Sequence, residues 1–312
     1  MKRKLLAALL LLAMLTGCAG QNLPSNSEKE ISFIDDTGEE ITIVHPRRVA
    51  VLLGSFAQVW QLAGGEVVAA PGDAWDDLNL DMPDTAVNLG ATKNLNLELL
   101  LASRPDLVLA STNTRQNVEW RDTLAAAGIP TAYFDIDDFE DYCRLLDICT
   151  DITGRKDLYE EHALAVQEQI DSVLAHSAER LAHSEPPTVL CMVASASAVY
   201  AKNSRGNVLG AMLKELGCVN LADSDAMLLE QLSLEHVLLS DPDMIFFVQR
   251  GDDEEGMRAY VQQHLMEHPI WNRLSAVQEG RVYFMEKNLF NLKPNHRWGE
   301  AYEILEEILS GG

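Results

Sequence analysis

Five cationic side chains, Arg115, Arg205, Arg250, Lys287 and Arg297, stand just beyond runs that read as buried strands, in a chain of formal charge −24. The guanidinium fork of arginine suits carboxylate and catecholate oxygens, and lysine adds a compact point charge. Trp75 and Tyr200 hold comparable positions and offer faces on which a planar ligand stacks. This is the chemistry of recognising an anion. The motifs of turnover are missing: the sequence has no G-x-G-x-x-G after its first strand, no P-loop, no G-x-S-x-G and no H-E-x-x-H. An enzyme on a doubly wound fold is therefore the weaker alternative. His264 and His268 are four apart, as zinc ligands on a helix are, but Pro269 closes that helix and no metal site is assigned. His162, His176 and His183 read as solvent-exposed, while His296 or Tyr200 would serve as an axial ligand if the ligand were haem.

In open α/β sheets a ligand binds beyond the carboxyl ends of the strands, and that rule nominates these residues. Continuous apolar runs at 48–53, 67–70, 107–110 and 130–134 read as strands of a first sheet. Ser55, Phe56, Trp75 and Thr112 to Arg115 follow three of them. Runs at 189–193, 244–248 and 281–285 read as a second sheet, followed by Tyr200, Arg205, Gln249, Arg250, Lys287, Asn291 and Arg297. Helical segments alternate with these strands, at 97–103, 119–127, 208–216 and 298–309 among others. The class is therefore α/β with mainly parallel sheets. Two alternating runs around Asp35-Asp36-Thr37-Gly38 read as a β-hairpin, and Asp252 to Gly256 reads as a solvated acidic loop.

One phrase occurs twice. Leu97-Glu98-Leu-Leu-Leu-Ala-Ser-Arg-Pro-Asp106 and Leu234-Glu235-His-Val-Leu-Leu-Ser-Asp-Pro-Asp243 share six identities at a constant offset of 137 residues. Each copy is a short helix stopped before a proline and followed by a buried strand. Two such units half a chain apart predict two similar Rossmann-like lobes with a cleft between them.

The remaining segments complete the organisation. Lys2, Arg3 and Lys4 precede an apolar core from Leu5 to Leu15, and Leu15-Thr16-Gly17-Cys18 follows. Residues 1–17 read as a lipoprotein signal peptide, with Cys18 as the acylated residue and 18–30 as a flexible tether. The first lobe spans 31–154, and the second spans 184–312. Residues 155–183 carry apolar residues at helical spacing and predict a single connecting helix roughly 43 Å long. Without the signal, 21 basic residues face 48 acidic ones, a formal −27, which disfavours nucleic acid as a partner. Cys143, Cys149, Cys191 and Cys218 have no zinc or iron–sulfur spacing and read as free thiols.

The order of these pieces resembles a family. Asp35-Asp36-Thr37-Gly38, Pro46-Arg47-Arg48-Val49, the two Leu-Glu…Pro-Asp segments, His268-Pro269-Ile270-Trp271 and Ala276 to Tyr283 are similar to segments of ABC-transporter substrate-binding proteins for iron–siderophore complexes, haem and cobalamin. The resemblance runs from about Ile31 to the end. It implies two α/β lobes joined by one long helix, and an iron(III)–siderophore-type complex captured in the cleft, with haem or a corrinoid as alternatives. It also implies a lipid-anchored extracytoplasmic monomer that serves an ABC importer's permease and ATPase and carries no cofactor. Glu98 and Glu235 match the acidic residues, one per lobe, that meet basic residues on the permease. Both lie in a first helical turn, where a carboxylate is favoured.

Overall fold

A two-stranded hairpin and two five-stranded sheets carry the fold. They are seen in a computed structural model, which describes residues 30–230 and 232–311. The signal peptide, Cys18 and almost all of the tether expected from the sequence lie outside the described residues.

The hairpin pairs β1 (Glu30–Ile34) with β2 (Glu40–Val44), Glu30 opposite Val44. Its strands alternate in burial, and Ile31, Phe33, Ile41 and Ile43 pack on the first core. In the first sheet β3 (Val49–Val51), β4 (Val67–Ala70), β5 (Val87–Asn88), β6 (Leu107–Ser111) and β7 (Thr131–Phe134) are all parallel, in the order β5-β4-β3-β6-β7. Helices cover both faces: α1 (Gly54–Leu62), α2 (Asp73–Asp76), α3 (Leu97–Ala102), α4 (Arg115–Glu119), α5 (Arg121–Ala126) and α6 (Phe139–Thr153). That two-sided cover is why β3 and β6 are apolar at every position. The single helix expected at 119–127 is two helices that meet at Trp120, so Arg115 opens a helix and is not a loop residue.

The Asp-Asp-Thr-Gly turn fastens the hairpin to β7. Asp35 accepts from Thr37 N (2.9 Å) with one carboxylate oxygen and from Tyr133 N (3.0 Å) with the other. Asp36 accepts from Asp135 N at 2.7 Å. Gly154, at φ +73°, ends α6 in the left-handed conformation that glycine adopts without steric cost.

The connecting segment departs from the expected single α-helix. Helical backbone runs as α7 (Lys156–Tyr159), a π turn (Glu160–Leu164) and α8 (Ala165–Leu181). In the π turn Ala165 N donates to Glu160 O, so one extra residue enters the ladder. His162, expected in solvent, lies in this turn half-buried against His296, with ring centroids 6.2 Å apart. Its carbonyl accepts the hydroxyl of buried Tyr142 at 3.0 Å.

The second sheet holds β8 (Thr188–Ser195), β9 (Ala198–Lys202), β10 (Val219–Asn220), β11 (Met244–Gln249) and β12 (Val282–Met285). Its path is β10-β8-β11-β12, parallel, with β9 antiparallel to β8. The helices here are α9 (Val208–Glu215), α10 (Ala226–Glu230), α11 (Leu234–Ser240), α12 (Glu254–Val261), α13 (Ser275–Gln278), α14 (Lys287–Phe290) and α15 (Trp298–Leu309). The acidic segment at 252–256 is the start of α12 rather than a free loop: Asp253 caps it by accepting from Gly256 N at 2.8 Å.

The duplicated phrase is duplicated in structure. α3 leads into β6 and α11 into β11; Asn96 caps the first helix and Ser233 the second. Arg104 and Asp241, 137 residues apart, both take positive φ (+48° and +39°) before the proline. The final aspartates clamp the start of the neighbouring strand. Asp106 accepts from Arg47 N (2.9 Å) and Arg48 N (2.8 Å) just before β3. Asp243 accepts from Thr188 N and its hydroxyl, both at 2.7 Å, at the start of β8.

Candidate functional site at the facing sheet edges

Each sheet reverses its winding direction once, between β3 and β6 in the first lobe and between β8 and β11 in the second. Crevices at such switch points, beyond the carboxyl ends of the strands, are where open α/β sheets bind ligands. The two crevices here are not equivalent.

The first is filled from within the chain. Gly54 N, at the amino end of α1, donates to Asp73 Oδ2 at 3.3 Å. A Cβ on residue 54 would lie 2.8 Å from Asp73 Cγ, so glycine is required for this approach. Burial raises the Asp73 pKa, against the lowering effect of its hydrogen bonds. Asn295, fully buried and at φ +54°, reaches in from the second lobe and donates to Ser55 O (2.9 Å) and Gln58 Oε1 (2.7 Å). Further along this edge Asn113 Nδ2 donates to Asp135 Oδ1 at 2.5 Å. Burial and neighbouring Asp137 raise the Asp135 pKa.

The second crevice keeps its cations free. Arg250 follows β11 directly, and its backbone N donates to Ala194 O at 2.7 Å, which fixes it beside the end of β8. Arg205 lies between β9 and α9, its backbone N held by Asn203 Oδ1 at 3.1 Å. Both side chains are exposed and have no ion-pair partner among the described residues. Tyr200, on β9 opposite Val193, is 50% exposed.

The other nominated residues have partners. Arg115 is 92% exposed and pairs with Glu119 at 2.6 Å along its own helix. Arg297 forks onto Glu300 at 2.7 and 2.8 Å and touches Glu286 at 3.4 Å; its hydrogen bonds with Glu300 raise its pKa. Lys287, only 14% exposed, donates to Asp77 (3.0 Å) in the first lobe and to Asp252 (2.6 Å) in the second. Burial works against its charge, yet hydrogen bonds with Asp252 and Asp77 raise its pKa overall. Trp75, two residues before Asp77, is half-buried against the first core.

Contacts that sequence reasoning missed run through the segment after β12. Asn288 donates to Asp77 O at 3.2 Å, and Lys293 faces Asp137 at 3.7 Å, its pKa lowered by burial. With Asn295, this segment touches the first lobe beyond β3, β4 and β7. The rule that nominated Trp75 applied equally to Asp77; the signal was there in the acidic run from Asp73 to Asp77.

Glu98 and Glu235 are both exposed, in the first turns of α3 and α11. Ser233 Oγ donates to Glu235 Oε2 at 3.2 Å. His264 stacks on Tyr260 with centroids 4.1 Å apart, and His268 Nδ1 accepts from Ile270 N at 3.3 Å. Among the described residues no group of three or more His, Cys, Asp or Glu is arranged to hold a metal ion. The four described cysteines are free, and burial pushes Cys143 and Cys218 up to about 12. No helix among the described residues is long and apolar enough to cross a membrane.

Comparison with known proteins agrees with this architecture. Residues 49–289 match the model of a family described as periplasmic binding protein. An iron-uptake system-binding protein of Bacillus subtilis is 24% identical over 299 residues, covering 91% of this chain and 90% of the relative. A putative ABC transporter substrate-binding lipoprotein of the same organism is 24% identical over 332 residues, covering 98% and 97%. Among solved structures, Staphylococcus aureus SirA complexed with staphyloferrin B superposes with a TM-score of 0.70 at 20% identity, covering 90% of this chain and 98% of that one. That is a likeness of fold.

Proposed function

The chain belongs to the periplasmic binding protein family, whose members are extracytoplasmic solute-binding proteins, and on that premise we propose that it captures an iron(III)–siderophore-type complex for an ABC importer. One observation carries the reading: Arg205 and Arg250 lie exposed at the second lobe's crevice without counter-charges, beside half-exposed Tyr200. A chain with a large acidic excess that leaves two guanidinium groups unpaired at a binding edge is suited to carboxylate or catecholate oxygens. Relatives named for iron uptake point the same way.

In this reading the second lobe supplies charge, and Trp75 on the first supplies a stacking face. Arg115 and Arg297 contribute at the rim after release from Glu119 and Glu300. Glu98 and Glu235 are the handles that meet basic residues of the permease, with its ATPase completing the importer. The protein acts as a monomer anchored through lipid on Cys18, in keeping with the lipoprotein relative. Haem is the second reading, favoured by the half-exposed Tyr200 phenol, which is the type of oxygen ligand haem iron accepts.

Protein purified from its own host decides between them. A broad charge-transfer band is expected for a ferric siderophore. A Soret band would replace that reading with haem, and a colourless protein that binds no ferric chelate would overturn both.

A further inference from the structure

Lys287 is the point where a side chain of the second lobe's rim is held between carboxylates of both lobes. Its ammonium lies 3.0 Å from Asp77 Oδ1 and 2.6 Å from Asp252 Oδ1. The next residue, Asn288, donates to the Asp77 carbonyl, so backbone and side chain of Asp77 are both engaged. The three groups differ in what fixes them. Asp77 follows directly on α2 and is largely sheltered, at 25% exposure, whereas Asp252 is 82% exposed. Lys287 itself opens α14 immediately after β12, at the carboxyl edge of the second sheet. It therefore belongs to the same crown of loops as Arg250, yet it is neutralised by the protein's own acids while Arg250 is not.

We propose that Asp77 is an internal stand-in for a ligand anion, and that Lys287 exchanges it for the ligand as the cleft fills. This rests on the reading of the cleft as an anion-chelate site. In the unliganded chain Asp77 closes the lobes across Lys287 and keeps the ammonium from attracting small anions. A chelate whose oxygens compete with one carboxylate releases Asp77 and takes its place, while Asp252 keeps hold of the lysine. The two lobes would then be joined through the ligand. Asp77 thereby sets a threshold that singly charged anions fail to pass, so this pair determines specificity as well as closure.

The test compares Asp77→Asn, Lys287→Met and the double variant, with ferric citrate, a ferric tris-catecholate and iron-free citrate as probes, by tryptophan fluorescence at low and high salt. Asp77→Asn is expected to raise affinity by about twofold to fivefold, the range for a partly exposed ion pair, with the gain shrinking as salt rises. Iron-free citrate should gain the most, because the threshold against weak anions is gone. Lys287→Met should abolish the gain in the double variant. Hydrogen exchange without probe should show faster exchange over α14 in Asp77→Asn. Unchanged or weaker binding by Asp77→Asn overturns the exchange, as does an equal gain in the Lys287→Met background. Absence of binding to every form also overturns it, whereas the ligand reading is judged separately on the spectrum of protein from its own host.

Discussion

Replacing Arg250 or Arg205 with glutamine should weaken ligand binding without weakening the fold. The unliganded chain gives each guanidinium no ion-pair partner among the described residues, so nothing in the folded state is lost with it. A surface change of this type moves stability by no more than about 0.5 kcal/mol. In the complex each arginine would donate to an anionic oxygen, and a hydrogen bond involving a charged group contributes about 1.5–3 kcal/mol. The affinity loss should therefore be about 10- to 150-fold for each variant. Arg297→Gln is the contrast, since its fork is already committed to Glu300. It should alter stability slightly and affinity far less. Fluorescence titration gives the affinities and urea unfolding gives the stabilities. Wild-type affinity in both Arg205→Gln and Arg250→Gln would refute the assignment of the second crevice as the anion site. So would a loss of affinity matched by an equal loss of stability.

Glu98→Ala with Glu235→Ala should leave chelate affinity unchanged and stop uptake in cells; a large loss of affinity would remove them from the permease interface. Asp243→Ala deletes the acceptor for two Thr188 donors and should cost about 1–3 kcal/mol in urea unfolding. Asp106→Ala should cost a similar amount, and because the two share no partners their effects should add to within about 0.5 kcal/mol. Burial, with His162 and Arg297 nearby, holds the His296 pKa below its ordinary value of 6.5. The fold therefore favours neutral His296, and the stability this contributes is present above pH 6.5 and lost as pH falls through the depressed value. His296→Gln should flatten the acid side of the stability profile, and an unaltered profile would show that other groups set it.

Much of the scaffold is legible in the sequence because its signals are local. The apolar runs that become β3, β6, β8 and β11 are read directly, and the closing helix spans Trp298–Leu309 as its periodicity predicts. What escapes is set by partners distant in the chain or by single-residue insertions. β9 pairs antiparallel after a two-residue turn at Ala196-Ser197, where a rule for parallel units expects a helix. Lys287 and Arg250 look alike in sequence, as cations just past a strand. Only Asp77, 210 residues away, separates their roles. The split of 119–127 at Trp120 is similarly tertiary, since that ring is packed into the core between two helices.

The π turn in the connecting helix has a consequence for how such a chain tolerates insertion and deletion. Each residue in an α-helix advances the azimuth by about 100° and the axis by about 1.5 Å. The turn at Glu160–Leu164 accommodates one residue more than a regular α-helical path would. Deleting a residue there would restore an unbroken α-helix while rotating everything downstream by roughly a quarter-turn or more relative to the first lobe. Asn295 would no longer face Ser55, nor Lys287 face Asp77. The mutual orientation of the two lobes is thus written in the length of one helical segment, to a precision of one codon. Loops elsewhere can lengthen or shorten with little consequence, but this segment conserves count before it conserves identity.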